Sequence, residues 1–296
     1  MQAERRANLE LHLAVFLWGF TAILGDLIQL SALVLVWWRV LITPLSLLLL
    51  MRSLKTFREM PRRLALQYMG IGVLVALHWL AFYGAIKLAN ASVALICMAT
   101  TSFFTAFLEP LFLRQRIKGY EIFLGLLIIP GMMLIVSNLD FSMMNGFWAG
   151  LAAALLAATF GTLNKKMVTK AHPYQITFLE LGSSWIFLSL LLPFFFSQNP
   201  GLVFWPSWLD LGYLLVLALL CTTLPYILSL RALHHLSAFG ANLVINLEPV
   251  YGIALAWLIL RENKELSPGF YLGVLIILAA VFSYPVIKRR VKSEEI

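Results

Sequence analysis

Long apolar runs, separated by short polar segments, dominate the sequence. A helix needs about 20 mostly apolar residues to cross the hydrocarbon core of a bilayer, and its backbone groups must be satisfied within the helix. Ten runs have this length, near residues 11–28, 33–51, 65–86, 91–113, 119–137, 146–164, 174–196, 208–230, 239–260 and 268–287. The sequence therefore predicts an all-α polytopic membrane protein with ten transmembrane helices.

The charge and cysteine content argue against several other classes of protein. The chain is 61% hydrophobic and 12% charged, whereas soluble domains average about 25% charged residues. A net charge of +8 can indicate a nucleic-acid partner, but the Lys and Arg residues are dispersed among short loops, so we expect no nucleic acid. Cys97 and Cys221 lie in apolar runs without a CxxC pattern, so we expect no disulfide framework, metal site or cofactor.

Lys and Arg are distributed unequally between the two sides of the predicted membrane. If the N-terminus is cytoplasmic, 18 of the 22 Lys and Arg residues fall in cytoplasmic segments. The outer segments hold Lys87, Arg261 and Lys264, and Arg39 lies inside the second run. Cytoplasmic loops carry an excess of these residues, so we expect both termini in the cytoplasm and the lipid bilayer as a partner.

The two halves of the chain show weak internal similarity. A shift of 148 residues places 124–129 (LGLLII) on 272–277 (LGVLII), at corresponding points of two five-span halves. Since five is odd, the second half must run through the membrane in the opposite direction. We therefore predict two inverted five-helix repeats, 1–140 and 141–296, an architecture common in secondary transporters.

The ninth run is unusually polar for a membrane span. It carries Asn242, Asn246, Glu248 and Pro249, and a polar group in a span is expensive unless it faces protein or water. We expect the two asparagines and Glu248 to bind substrate, and Pro249 and Gly252 to act as a hinge. The alternative is structural: the asparagines join neighbouring helices and a partner satisfies Glu248. The Leu-Glu-Pro at 247–249 also occurs at 108–110, but at a shift of 139, and we interpret that match as coincidence.

Other polar or aromatic side chains fall inside predicted spans. Hydroxyls in such helices often bond to their own backbone, and a lone histidine gives no metal site. As further substrate-binding candidates we take Trp18, His78, Trp79, Tyr83, Thr100, Thr101, Asn164 and Tyr226. Arg39 and Glu180 occupy similar places in the second and seventh spans, and we expect them to pair with each other rather than to bind substrate.

Enzyme signatures are absent from the sequence. It contains no HExxH, GxSxG, Walker or GxGxxG motif. We therefore expect the protein to be neither an enzyme nor an ATP-driven pump. The only candidate acid/base cluster at an interface is His234 and His235 with Arg231. It leaves an intramembrane lipid-modifying enzyme as a distant alternative, alongside a structural or receptor role.

Several short stretches resemble a known family. They are residues 16–20 (FLWGF), Arg39, residues 91–95 (ASVAL), residues 247–250 (LEPV) and residues 260–262 (LRE). With the ten-span plan they resemble the EamA-type branch of the drug/metabolite transporter superfamily. Thr101 and Ser102 stand where that family often has a proline, and Arg114 where it often has an acid.

The resemblance implies a transporter of small organic metabolites, often amino acids and often an exporter, in a bacterial plasma membrane. We expect alternating access through a central cavity lined by spans one, three, four, six, eight and nine. Nucleotide or sugar derivatives are the alternative solutes. Flux is either uncoupled or coupled to protons through Glu248 or His78. Gly146 and Gly150 have GxxxG spacing, which predicts a close contact within the chain, and oligomeric state is not predicted.

Overall fold

The computed structural model describes residues 2–50, 60–117, 119–261 and 267–294, and those residues form helices and no strand. Lys264, Glu262 and several cytoplasmic Lys and Arg residues of the sequence analysis lie outside these ranges. The first half contains α1 (Gln2–Leu27), α2 (Ala32–Leu50), α3 (Arg62–Leu88), α4 (Ala91–Met98), α5 (Thr101–Leu113) and α6 (Gly119–Ser137).

The second half repeats this pattern of long and broken helices. It contains α7 (Met144–Met167), α8 (Pro173–Gln198), α9 (Trp208–Ala218), α10 (Leu224–Leu233), α11 (Ala238–Ile245), α12 (Glu248–Leu255) and α13 (Pro268–Glu294). Short 3₁₀ turns at Phe141–Met143 and Val168–Lys170 flank α7, and π-helical turns at Leu219–Thr223 and Ala256–Leu260 follow α9 and α12.

Seven stretches of the described residues are long and apolar enough to cross a membrane. They are Ala3–Leu27, Ala32–Leu49, Arg62–Leu88, Ala91–Leu113, Phe141–Lys170, Pro173–Gln198 and Trp208–Leu233, with two shorter apolar helices at Glu248–Leu260 and Pro268–Ala279. A multi-pass helical membrane protein is thus confirmed, while the number of ten spans stays a prediction.

Three of the predicted spans are interrupted near their middle. Between α4 and α5, the N–H groups of Ala99 and Thr100 bond three residues back, which tightens the turn. Between α11 and α12, the Leu247 N–H does the same with the Val244 carbonyl. A π turn divides α9 from α10, where Pro225 occupies the first turn. Such breaks expose backbone groups inside the bundle, where they can bind polar partners.

Helices pack closely where glycine removes the side chain. A Cβ at Gly72 on α3 would lie 2.0 Å from the Glu180 carbonyl oxygen of α8, so the two backbones meet there. A Cβ at Gly146 would lie 2.9 Å from the Ala85 carbonyl, and one at Gly150 would lie 2.8 Å from Cys97. The GxxxG stretch of α7 therefore contacts α3 and α4 of the same chain, as its spacing predicts.

Candidate functional site

A central cavity lies among helices from both halves of the chain. The empty space within it, including the open space at its mouth, is about 970 Å³. Side chains from α1, α2, α3, α4, α5, α7, α10, α11 and α12 line it. The predicted set of lining spans is present, and α2 joins it through Arg39.

Most predicted binding residues reach this cavity. Those that line it are Trp18, His78, Trp79, Thr101, Asn164, Tyr226, Asn242 and Glu248. Three others lie outside the lining, and each has a polar group bonded within the protein. The Tyr83 hydroxyl accepts from Arg39, the Thr100 hydroxyl donates to the Cys97 carbonyl at 2.7 Å, and Asn246 Nδ2 donates to Ser102 Oγ at 2.5 Å.

Arg39 places a guanidinium in the cavity wall. The side chain is 1% exposed, and its Nε and Nη1 donate to Thr222 Oγ1 at 2.6 Å and Tyr83 Oη at 2.7 Å. Nη2 donates to the Cys221 carbonyl at 3.4 Å. The ring of Trp79 lies 3.9 Å from the guanidinium carbon, in cation–π contact. All these acceptors are neutral, so Arg39 is a buried cation held without a bound carboxylate.

The bond from Arg39 to Cys221 follows from the local sequence. Pro225 has no N–H, which leaves the carbonyl four residues earlier without its helical partner. That carbonyl belongs to Cys221, and Arg39 donates to it. The predicted pairing of Arg39 with Glu180 does not form, because Glu180 accepts instead from Tyr226 and Asn164.

Glu248 brings a carboxylate to the same cavity. The residue is 7% exposed and begins α12, directly after the break at residues 246–247. Within the described residues, no side chain or backbone group donates a hydrogen bond to its carboxylate. The cavity therefore contains a cation at Arg39 and an anion at Glu248, and neither forms an ion pair within the part of the chain that the structure describes. An unpaired buried charge is costly, so both are suited to a charged ligand.

Glu180 lies behind the cavity wall in a small polar cluster. It is completely buried, and its Oε2 accepts from the hydroxyl of Tyr226 and from Asn164 Nδ2, the latter at 3.3 Å. Glu180 Oε1 and Asn164 Oδ1 are both buried with no hydrogen-bond partner found for them. Since Tyr226 and Asn164 line the cavity, this cluster is one side chain away from it.

Polar contacts join α5 to α11 along one antiparallel interface. Asn246 donates to Ser102, and Asn242 Nδ2 donates to Thr105 Oγ1 at 2.6 Å. At the N-terminus of α11, one turn before Asn242, the Glu109 carboxylate accepts from the N–H groups of Ala238 at 3.2 Å and Phe239 at 2.7 Å. We call these contacts the polar ladder. It matches the structural alternative for the asparagines, although Asn242 also lines the cavity.

Glu109 is the residue whose role the sequence analysis missed. The repeated Leu-Glu-Pro had been interpreted as coincidence, yet Glu109 caps the N-terminus of α11, the helix that leads to Glu248. The two glutamates thus have different roles despite their shared tripeptide. The sequence feature that could have predicted this role is a carboxylate near the end of an apolar run, because the start of a helix in the other half of the chain can bind it.

Aromatic side chains form much of the remaining wall. His78 Nδ1 lies 2.8 Å from the Ala153 carbonyl, and since a carbonyl only accepts, Nδ1 carries the hydrogen. The His78 ring is stacked on Phe82 and lies 5.3 Å from Phe160. With Trp18 and Trp79 these rings give the site a large apolar surface around a few polar groups.

Gly252 is a point of close packing rather than open space. A Cβ there would lie 2.4 Å from Leu95 and 3.3 Å from the Gly19 carbonyl. Pro249 sits in the first turn of α12, where a missing N–H does no harm. The helix break next to Pro249 fits a bending point, and the hinge role of both residues stays a prediction.

The histidine cluster near the helix ends has its own cavity. It is about 1140 Å³ and is lined by residues that include Glu10, His172, Arg231, His234 and His235. Arg231 forms an ion pair with Glu10 at 3.0 Å, and His172 accepts from a backbone N–H to cap α8. The pKa of His234 is lowered by partial burial and then by the neighbouring His235, Lys165 and His172. Arg231 and His172 thus have structural partners within the protein.

Within the described residues, no three His, Cys, Asp or Glu side chains lie together as a metal site would require.

Comparisons with known proteins bear on the fold and the family. The model of the EamA-like transporter family matches residues 6–137 and again residues 144–284. One solved crystal structure, described only as that of a protein, superposes with a TM-score of 0.70 at 14% identity, over 96% of this chain and 98% of that chain. At such identity the likeness shows a shared fold alone. A search of curated proteins found no match.

Proposed function

Because the chain belongs to the EamA-like transporter family, we propose that it is a secondary transporter of small polar organic metabolites. Solute would cross by alternating access through the central cavity. The observation that carries this proposal is the cavity itself: both family repeats line it, and it holds a buried cation and a buried acidic group, neither of which forms an ion pair among the described residues.

We further propose a zwitterionic solute, of which an amino acid is the simplest. Its carboxylate would bind the Arg39 guanidinium and its ammonium group would bind Glu248, since neither group forms an ion pair among the described residues and the two have opposite charges in one cavity. Trp18, Trp79 and Phe160 offer rings for an apolar side chain. The Thr101 hydroxyl, buried with no partner found for it, is a further group for a polar solute.

The finer topology belongs to the same proposal. Ten spans in two inverted repeats, 1–140 and 141–296, agree with two family matches of similar length. Both termini would be cytoplasmic in a bacterial plasma membrane, and flux would be outward. The breaks at residues 99–100 and 246–247 stand at matching places in the two halves, where each helix could bend as the cavity changes sides.

Transport is best tested with purified protein in liposomes. Counterflow of labelled amino acids into vesicles preloaded with the same unlabelled solute should be fast with the wild-type protein. Glu248→Gln should reduce it at least about tenfold, because the variant loses the charge that binds the ammonium group. Asp140→Asn, at an exposed position outside the cavity, is the control. Normal counterflow in a folded Glu248→Gln protein would remove Glu248 from the site.

The solute and the direction of flux can be found together. Metabolites inside and outside cells are compared with and without the protein, and with Glu248→Gln. An exporter of zwitterions should raise the outside concentration of one or a few amino acids only with the wild-type protein. An outside rise confined to sugar or nucleotide derivatives would contradict the amino-acid assignment.

A further inference from the structure

Glu180 is a buried carboxyl group in an unusual position. It is 0% exposed, and the side chains that bond to it are neutral: Tyr226 and Asn164. Tyr68 on α3 is the other titratable group close enough to interact with it. A carboxylate with no cation beside it is unstable in a membrane interior, and such a group tends to be neutral.

Cations on the surrounding helices are bound elsewhere. Arg39 on α2 donates to Tyr83 and Thr222, and the amine of Lys165 on α7 donates to the Leu233 carbonyl at 2.6 Å. His78 on α3, which lines the same cavity, is bonded through Nδ1 to a backbone carbonyl. Across the described residues, none of them forms an ion pair with Glu180.

Two acceptor atoms in this cluster have no donor among the described residues. Glu180 Oε1 and Asn164 Oδ1 are both fully buried oxygens with no partner found for them. Asn164 Nδ2 already donates to the other oxygen of the same carboxyl group. A proton on Oε1 turns that atom into a donor, of the kind that the unpartnered amide oxygen of Asn164 accepts. The cluster therefore contains more acceptor atoms than donors.

We propose that Glu180 is a proton-binding site that couples solute flux to a proton gradient, with Asn164 and Tyr226 linking it to the cavity. The inference deepens the proposed function and rests on it. A proton from the aqueous phase to which the cavity is open adds to the carboxylate and forms the neutral acid. After the cavity opens to the other side, the acid releases that proton there. Solute that moves in the opposite direction binds in the cavity and promotes release of this proton from Glu180. Asn164 and Tyr226 transmit the effect, because they line the cavity and bond to Glu180.

This assignment differs from coupling through Glu248 or His78. Glu248 shares the cavity with the opposite charge of Arg39, which suits it to the charged solute. His78 already uses Nδ1 in a backbone bond. Glu180 differs from both in being completely buried outside the cavity lining, with direct bonds from two side chains that do line the cavity.

Accumulation driven by a pH gradient tests the proposal in liposomes. With one proton exchanged per solute, each pH unit supports about a tenfold concentration ratio of solute at equilibrium. We expect the wild-type protein and Asp140→Asn to approach that ratio. Glu180→Gln keeps the shape of the neutral acid, so it should retain counterflow while its accumulation ratio falls to one. Gradient-driven accumulation that persists in Glu180→Gln would overturn the proposal, as would accumulation that follows a sodium gradient instead.

Infrared difference spectra give a readout that needs no solute. On acidification, purified wild-type protein should gain the carbonyl band of a protonated carboxylic acid, and Glu180→Gln should lose that band. If the band titrates but no solute is ever transported, the proton site stands and the proposed transport function fails. If counterflow occurs but neither the band nor a response to the pH gradient depends on Glu180, the transport function stands and the proton site is refuted.

Discussion

The contact between α3 and α8 at Gly72 should be the least tolerant point of the bundle. A Cβ added at Gly72 would lie 2.0 Å from the Glu180 carbonyl oxygen and 2.2 Å from Ser183 Oγ, where ordinary contact begins near 3.4 Å. The helices must therefore separate by more than an ångström to accept Gly72→Ala. The Ser184 hydroxyl, which donates to the Gly72 carbonyl at 2.6 Å, would lose that bond.

The cost of this substitution can be estimated from its parts. Overpacking a well-packed interior by one carbon costs about 1–3 kcal/mol, and here the obstacle is backbone, so the upper end applies. A lost hydrogen bond adds about 1 kcal/mol. The total is about 4 kcal/mol, so at about 2–4 °C per kcal/mol the expected fall in Tm is roughly 8–16 °C. Because Glu180 sits at this contact, pH-driven transport should suffer as well.

Gly70→Ala on the same helix is the matched control. A Cβ at Gly70 meets nothing within 4 Å, so Tm should stay level or rise slightly because alanine is the better helix former. A thiol-reactive dye can follow unfolding in detergent, since Cys97 and Cys221 are free and buried. Equal Tm values for Gly72→Ala and Gly70→Ala would show that α3 and α8 do not touch through Gly72.

Three further predictions concern other parts of the chain. Glu109→Ala should lower stability by about 1–3 kcal/mol, because it strips two buried N–H groups of their acceptor; an unchanged thermal midpoint would contradict the cap. The pKa of His234 is lowered in the folded protein, which therefore favours the neutral ring, whereas the unfolded chain takes up a proton more readily. The free energy of unfolding should thus be greatest above about pH 6.5 and should fall on acidification. His234→Gln should therefore flatten the acid side of a Tm-against-pH curve, and an unchanged curve would exclude His234 as its cause. In a cysteine-free background, a membrane-impermeant thiol reagent should label Ser142→Cys from outside intact cells and His234→Cys only after permeabilisation; the reverse pattern would invert the topology.

Much of the architecture was accessible from the sequence because it depends on local length and polarity. An apolar run that crosses lipid must be a helix, which fixes the secondary structure. Polar residues within such a run are expected to face the protein interior, and Asn242 and Glu248 do line the cavity. Helix breaks were also signalled locally, by Pro249. These features need only the composition of one segment and the properties of the bilayer.

Pairing between segments was not accessible in the same way. Arg39 and Glu180 looked like partners by position, but the carbonyl freed by Pro225 and the hydroxyls of Tyr83 and Thr222 hold Arg39 elsewhere. The sequence predicts Thr100 as a binding residue and does not single out Ser102, yet Thr100 bonds to its own backbone and Ser102 accepts from Asn246. Such contacts depend on how two packed helices are rotated about their axes, and that rotation cannot be predicted from a single sequence.

The polar ladder between α5 and α11 also contributes to the free energy that holds the two helices together. Hydrogen bonds between membrane helices contribute only about 0.6 kcal/mol each, so the four bonds of the ladder amount to roughly 2.4 kcal/mol, or about a fiftyfold factor in an equilibrium constant. The packing of Ala106 against Phe239 adds to that contribution. A solute that bound an arrangement without these four bonds about fifty times more tightly would offset their loss. Ligand binding alone can therefore compensate for the hydrogen bonds of the ladder.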